Sequence, residues 1–127
     1  MMLSLPSVVR IYLHVEPVNL HFGFDRLAGL VREQMGQDPL SGHLFVFRNR
    51  RGDRIKLLLW DDDGYVQIYK RLEAGIFRFP HTVDGATALQ VNASELSLLL
   101  WGIDSSTVRR QKRFSLEKHR EQHRVAS

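Results

Sequence analysis

Apolar residues alternate with mostly polar ones near the start of the chain, where every second residue from Val9 to Val15 is apolar. Period-two alternation rich in β-branched residues is typical of a strand, so residues 8–15 are predicted to form one. From Phe24 to Met35 the apolar positions follow helical spacing instead, and Gly36 stands just beyond them. This pattern predicts an amphipathic helix that ends near the glycine.

Four short β segments follow in quick succession, at about residues 44–49, 55–60, 65–72 and 76–80. The three connections between them are short, and each contains a glycine that can supply the positive φ of a hairpin turn. They predict an antiparallel meander. The segment 55–60 is apolar on much of both faces, so we expect it to lie centrally in the sheet.

The last predicted element of the body is a helix that begins after Asn92. Glu95, three residues on, completes a capping box, and Gly102 is predicted to end the helix. Its buried stripe is predicted to consist of Leu96, Leu99, Leu100 and Ile103. Leu98 and Trp101 widen the apolar face beyond one sheet contact, so either the helix is deeply buried or these two side chains form a partner surface.

These elements predict a single α+β domain over residues 1–104. We expect an antiparallel meander sheet of about five strands with two covering helices. Residues 105–127 contain too few apolar positions to bury a helix face, and we expect them to be a flexible, disordered tail or to fold only on a partner.

Charge divides at the same boundary. The chain holds 18 Lys and Arg against 14 Asp and Glu, a net of +4. Residues 1–104 carry 11 basic against 12 acidic residues, a net of −1, whereas residues 105–127 carry 7 against 2, a net of +5. Such a basic tail is typical either of a protein that binds a polyanion or of a tail that serves solubility.

Meander topology predicts that basic residues also gather at one end of the sheet, because the turn at Arg50 and the turn at Glu73 lie at the same end. The basic residues near that end are Arg48, Arg50, Arg51, Arg54, Lys56, Lys70, Arg71 and Arg78. We interpret them as a nucleic-acid-binding surface. The alternative is that they are solvated residues that protect the sheet edge from pairing. The tail extends the predicted surface with Arg109, Arg110, Lys112 and Arg113.

Other chemistry has weak support in the sequence. The chain has no Cys, and neither phosphate-loop nor dinucleotide motifs occur. Consecutive aspartates at 61–63 are better explained by turn formation than by a cation site, because their side chains diverge in a tight turn. His119 and His123 have zinc-ligand spacing without a third ligand. We therefore predict a non-catalytic protein without metal or cofactor.

The apolar runs of the chain are far shorter than the roughly 18 residues that a membrane span needs. The prediction is a cytoplasmic protein that makes no membrane contact, with its oligomeric state left open.

Five blocks of the sequence together resemble the small accessory protein called TnpB of bacterial insertion sequence family 66, over about residues 5–114. The blocks are Gly23–Asp25, Asp38–Phe47, Ile55–Asp61, Lys70–Glu73 and Leu98–Asp104. The resemblance implies a role in transposition beside a separate, larger transposase, and it implies no reaction. The RNA-guided nuclease of the same name is unrelated. Asn19–Phe22 departs from the family pattern, since two positions that are commonly cationic there are not cationic here.

Residues and resemblance together predict a non-catalytic accessory factor for insertion-sequence transposition. In the leading hypothesis it binds DNA, either transposon ends or any sequence, through the cationic sheet end and the basic tail. The alternative is a protein-only adaptor that docks on the transposase through the face formed by Leu98 and Trp101. Salt dependence distinguishes the two, since phosphate contacts weaken steeply with added salt.

Overall fold

The computed structural model describes residues 8–80, 85–104 and 109–110. Within these ranges the elements in chain order are β1 (Ile11–His14), α1 (Phe24–Glu33), β2 (Leu44–Arg48), β3 (Arg54–Asp61), β4 (Gly64–Arg71), β5 (Ala88–Val91), α2 (Ala93–Trp101), β6 (Ile103–Asp104) and β7 (Arg109–Arg110). Neither of the two helices has the length and apolar character needed to cross a membrane.

Five strands form one mixed sheet in the order β4-β3-β2-β1-β5. The strands β2, β3 and β4 are successive antiparallel neighbours, which confirms the predicted meander for this part of the sheet. β3 lies between two other strands and buries residues on both of its faces, as its apolar pattern predicted. The class is therefore α+β, with a sheet that combines both kinds of pairing.

The prediction of an entirely antiparallel sheet is wrong for β1. This strand pairs in parallel with β2, with Ile11 aligned to Leu44. Because α1 connects the two strands, the chain crosses over and re-enters the sheet in the same direction. On its other side β1 pairs antiparallel with β5, where Ile11 aligns with Val91. The sequence pattern did not indicate β5.

The predicted strand at 76–80 is also wrong, since this segment has no regular secondary structure. The backbone N–H of Phe77 donates to the oxygen of Gly52 at 2.7 Å, and the Phe77 side chain is completely buried in the core. Pro80 has no N–H to give to a ladder. The apolar residues of the segment thus serve packing at the end of the sheet rather than strand pairing.

The helix α1 covers one face of the sheet. Leu27 and Val31 are completely buried and belong to a cluster with Phe45 and Leu58 of the central strands. The helix ends at Glu33, slightly before the predicted limit, although the next apolar position of the predicted stripe remains buried.

The helix α2 covers the opposite face, where Leu96 and Leu99 pack in a cluster with β1, β2 and β3. The predicted capping box is confirmed: Asn92 Oδ1 accepts from the Glu95 N–H at 2.8 Å, and Glu95 Oε1 accepts from the Asn92 N–H at 3.1 Å. Gly102 ends the helix with φ of 77°, a conformation that glycine adopts without strain. The sheet is therefore sandwiched between two helices.

Two residues that the sequence assigned to the tail have regular backbone structure. Arg109 and Arg110 pair antiparallel with Ile103 and Asp104. The predicted tail residues Lys112 and Arg113 lie outside the described part of the chain, as do His119 and His123.

Replacing Leu99 by Ala tests the packing of α2. Leu99 is only 5% exposed, so its truncation should lower the free energy of unfolding by roughly 2 to 5 kcal/mol in urea titrations. Trp101→Ala on the same helix is the matched control, because Trp101 is 62% exposed and its loss should cost less than about 1 kcal/mol. Equal losses from both variants would contradict this packing.

Candidate nucleic-acid interface

The turn between β2 and β3 is built around Asn49. Its side-chain nitrogen donates to Asp53 Oδ1 at 2.7 Å, and its side-chain oxygen accepts from the Arg54 N–H at 3.0 Å. Gly52 has φ of 80°, and a Cβ there would lie 3.3 Å from Ile76 Cβ. These contacts fix the path of the turn, which leaves the side chains of the intervening basic residues in solvent.

The two predicted basic segments do lie at one end of the sheet. Arg54 aligns with Arg71 across the ladder, and the Leu72 N–H donates to Asp53 oxygen at 2.7 Å. Asp61 aligns with Gly64 at the opposite end. This confirms the topological step of the sequence argument, in which residues about twenty positions apart become neighbours.

An open cleft of about 380 Å³ lies at this end, between the turn and the segment 17–21 that follows β1. We call it the arginine cleft, because Arg50, Arg51 and Arg54 all line it. Its other polar lining residues are Asn19, His21, Asn49 and Tyr69. No acidic side chain occurs among the described residues that line it. The cleft therefore offers several hydrogen-bond donors and a positive field to an anionic ligand.

Two contacts shape the electrostatics of the cleft. Arg54 Nη1 donates to the Tyr69 hydroxyl at 3.2 Å, which holds the guanidinium against the cleft wall. The hydrogen bond from Asn49, together with the charges of Arg51 and Arg54, lowers the pKa of Asp53, while slight burial opposes that shift. Asp53 is thus ionised at neutral pH and offsets part of the positive charge from outside the cleft.

Lys56 does not belong to the exposed cationic surface, although the sequence analysis placed it there. It is 7% exposed. Its Nζ donates to the Phe22 oxygen at 3.1 Å and lies 5.0 Å from the centre of the Tyr69 ring. The buried ammonium thereby joins β3 to the segment before α1, so its role in the structure is to support the fold.

Arg48 is also held inside the structure. Its Nη2 donates to the Val15 oxygen at 3.1 Å, and the guanidinium carbon lies 4.4 Å from the centre of the Phe79 ring. Burial lowers the pKa of Arg48, an effect that the nearby charge of Glu16 opposes. With these contacts Arg48 connects the end of β2 to the end of β1 rather than facing solvent freely.

Three further predicted cations, Lys70, Arg71 and Arg78, are exposed. Arg71 forms an ion pair with Glu73, with Nη2 and Oε1 separated by 2.8 Å, and this contact raises the pKa of Arg71. Because Lys70 aligns with Ile55, a residue of the core on the α2 face, it lies on the face opposite Arg71.

The three consecutive aspartates at 61–63 lie at the connection between β3 and β4, which is a tight turn. Asp62 adopts φ of 53°, and Asp61 is buried. Across the described part of the chain, no group of three or more His, Asp or Glu side chains is placed to hold a metal ion.

The predicted partner surface on α2 is partly exposed. Trp101 is one of the large apolar side chains with the greatest exposure, whereas Leu98 is half-buried.

Sequence reasoning missed the contribution of the segment 17–21 to the cleft. The segment reaches the turn because the Val18 N–H donates to the Arg48 oxygen at 2.9 Å. That contact depends on the parallel pairing of β1 and β2, and no local sequence pattern predicts this pairing. His21 and Asn19 therefore carried no signal that could have placed them beside the arginines.

The fold and the cleft define a small α+β protein with a mixed five-stranded sheet between two helices and a cation-lined cleft at one sheet end. The chain belongs to the IS66 Orf2-like family, whose model matches residues 9–110. This confirms the resemblance seen in the sequence. Membership of this family implies that the protein is associated with insertion sequences and has an accessory role in transposition.

Two proteins of Sinorhizobium fredii (strain NBRC 101917 / NGR234) are similar to this chain. "Uncharacterized protein y4jC" is 39% identical over 103 residues, which cover 81% of this chain and 86% of the relative. "Uncharacterized protein y4hO" is 38% identical over 96 residues, which cover 76% of this chain and 82% of the relative. No solved structure matches the chain.

Replacing Lys56 by Met tests whether this cation supports the fold. Met retains most of the apolar stem but cannot donate to the Phe22 oxygen, so we expect a loss of about 1 to 3 kcal/mol in the free energy of unfolding. The matched control is Lys70→Met on the exposed neighbouring strand, which should change stability by less than about 0.5 kcal/mol. Chemical denaturation followed by circular dichroism measures both. An unchanged stability in the Lys56 variant would show that the buried ammonium is dispensable.

Proposed function

We propose that the protein binds DNA through the arginine cleft, as a non-catalytic accessory factor in the transposition of an IS66-type element. The observation that supports this most strongly is the convergence of Arg50, Arg51 and Arg54 on one open cleft. Three guanidinium groups close together repel one another, and an anionic ligand between them relieves that repulsion.

Arginine suits phosphate recognition because its planar guanidinium can donate two parallel hydrogen bonds to one phosphate group. Contacts of this kind position a protein on DNA without reading its sequence. Tyr69, which is 48% exposed beside the cleft, adds an aromatic surface on which a sugar or an unpaired base can pack. The proposed ligand is therefore the DNA backbone, and the proposed site of action is the cytoplasm.

The cations outside the cleft extend the proposed contact. Lys70, Arg71 and Arg78 are exposed at the same end of the sheet. In our proposal the basic C-terminal residues Arg109, Arg110, Lys112 and Arg113 add further phosphate contacts. Arg48 and Lys56 are not included, because their charged groups already bind backbone oxygens within the protein.

A salt series on paired substitutions tests the DNA contact. Each lost phosphate contact releases about one counterion fewer, so replacing Arg50 and Arg51 together by Ala should reduce the slope of log affinity against log salt by roughly 2. The Lys70→Ala/Arg71→Ala pair should reduce it less, because Arg71 already pairs with Glu73. Fluorescence anisotropy with labelled transposon-end DNA provides the measurement.

The control for this experiment lies at the opposite end of the sheet. Replacing Asp62 by Asn should leave binding unchanged or slightly stronger, since it removes a negative charge far from the cleft. The proposal is overturned if the arginine variant binds like the parent protein. It is equally overturned if the aspartate variant is the one that loses affinity.

A second candidate function has support from the exposure of Trp101. On this proposal the protein is an adaptor that docks on the transposase of the same element through Leu98 and Trp101. Large aromatic side chains that are exposed in a free protein are the usual anchors of protein interfaces.

Trp101→Ala distinguishes the adaptor from the DNA-binding proposal. If the α2 surface docks on the transposase, the variant should bind that protein at least about tenfold more weakly, while its affinity for DNA should not change. Calorimetric titration with the purified transposase at two salt concentrations measures the effect, and apolar docking should respond little to salt. Full binding by the Trp101 variant would exclude this surface as the anchor.

A further inference from the structure

We propose that two copies of the chain pair antiparallel along the outer edge of β4, so that their two five-stranded sheets become one continuous sheet. The partner is a second copy of this chain. Tyr69 and Arg71 belong both to this edge and to the proposed DNA contact, so its tests measure self-association in the absence of DNA.

The outer edge of β4 is open within the described part of the chain, since β4 is the terminal strand of the sheet order and pairs there with β3 alone. The strand has eight residues, which is long for an unprotected edge. Ile68 is 51% exposed and Tyr69 is 48% exposed on it. A long edge with exposed apolar side chains is a template for pairing with another strand.

The direction of the backbone groups follows from one hydrogen bond beyond the strand. The Leu72 N–H donates to Asp53 oxygen in the continuation of the ladder. Backbone groups alternate between the two sides of an antiparallel strand. The backbone groups of the even-numbered residues of β4 therefore face β3, as those of Leu72 do. The backbone groups of the odd-numbered residues point outward, namely those of Tyr65, Gln67, Tyr69 and Arg71.

Charge selects the direction of the pairing. Asp62 and Asp63 are exposed just before β4, and Lys70 and Arg71 are exposed at its end. Antiparallel pairing of two copies brings the acidic start of one strand beside the basic end of the other. Parallel pairing would place like charges together, which costs energy when they lie directly opposite each other.

The outward backbone groups restrict the register to those in which odd-numbered residues of β4 face odd-numbered residues of the second copy, and we propose the one centred on Gln67. With Gln67 opposite its own copy, Tyr69 lies opposite Tyr65 and Arg71 lies opposite Asp63 of the second copy. Tyr65, Gln67, Tyr69 and Arg71 share one face of the sheet, and Asp63 lies in the turn just before the strand. On the other face the same register sets Ile68 opposite Val66. Both faces therefore receive complementary pairs, with two Arg71 to Asp63 contacts related by the two-fold axis.

A contact limited to one strand edge is smaller than the roughly 1,200 to 2,000 Å² of a stable interface. We therefore expect a weak dimer whose population rises with protein concentration. Sedimentation equilibrium of the full chain should show that the apparent mass rises with protein concentration. It should increase from 14.7 kDa toward twice that value as the concentration approaches about 1 mM.

Charge exchange tests the register. Arg71→Glu and Asp63→Lys should each weaken dimerisation at least about tenfold, since each creates two like-charge contacts. The combined Arg71→Glu/Asp63→Lys variant should recover an affinity within about threefold of the parent, because opposite charges again face each other. Arg32→Glu, which reverses an exposed charge on α1, is the matched control and should leave the dimer unchanged.

Gln67→Pro tests, without changing any charge, whether the outward backbone N–H of Gln67 is needed for dimerisation. It removes an N–H that does not pair with β3, so the variant should remain folded by circular dichroism and become monomeric. The proposal is overturned if the parent chain stays monomeric up to about 1 mM, or if the single charge reversals dimerise like the parent. It is also overturned if the combined variant fails to recover. Self-association is measured without DNA, and the Arg50→Ala/Arg51→Ala variant, which leaves the β4 edge intact, tests DNA binding separately.

Discussion

The burial of β3 on both faces is the constraint on which the rest of the structure depends. Ile55 and Leu57 face the cluster beneath α2, while Leu58 faces the cluster beneath α1. A strand that is apolar on both sides needs a covering layer on each face, because apolar surface that stays in contact with water does not contribute to the stability of the fold. The chain meets this requirement with one helix per face. Lys56 is accommodated in this strand because its ammonium donates to the Phe22 oxygen and lies over the Tyr69 ring.

The position of α1 also determines the shape of the arginine cleft. To cover its face, the helix must connect β1 and β2 as a crossover, which makes these strands parallel. Their parallel alignment brings the segment 17–21 beside the turn at Asn49, where Val18 donates to the Arg48 oxygen. Arg48 strengthens the junction by donating to Val15. The walls of the arginine cleft thus follow from the packing of α1 on the same face of the sheet.

The parts of the fold that could be predicted are those with local causes. The capping box at Asn92 and the stop at Gly102 involve residues three to ten positions apart, and sequence spacing is enough to place them. The pairing of β1 with β2 and β5 joins distant segments, so no local pattern identified it. Lys56 was misassigned to the surface although its strand is apolar on both faces. That pattern already implied that a lysine there faces inward with its stem buried.

Each copy in the proposed dimer carries one arginine cleft near the end of its β4 strand, and antiparallel pairing sends the two clefts to opposite ends of the shared ladder. At about 3.3 Å per residue, the eight-residue strand separates them by roughly 26 Å along the strand direction. One DNA molecule that reaches both clefts makes the second contact intramolecular and so raises the affinity of the pair. If both proposals hold, the same DNA stabilises the weak strand pairing by linkage, because it binds the dimer more tightly than the monomer. On the two proposals taken together, DNA raises the population of a dimer that is weak on its own.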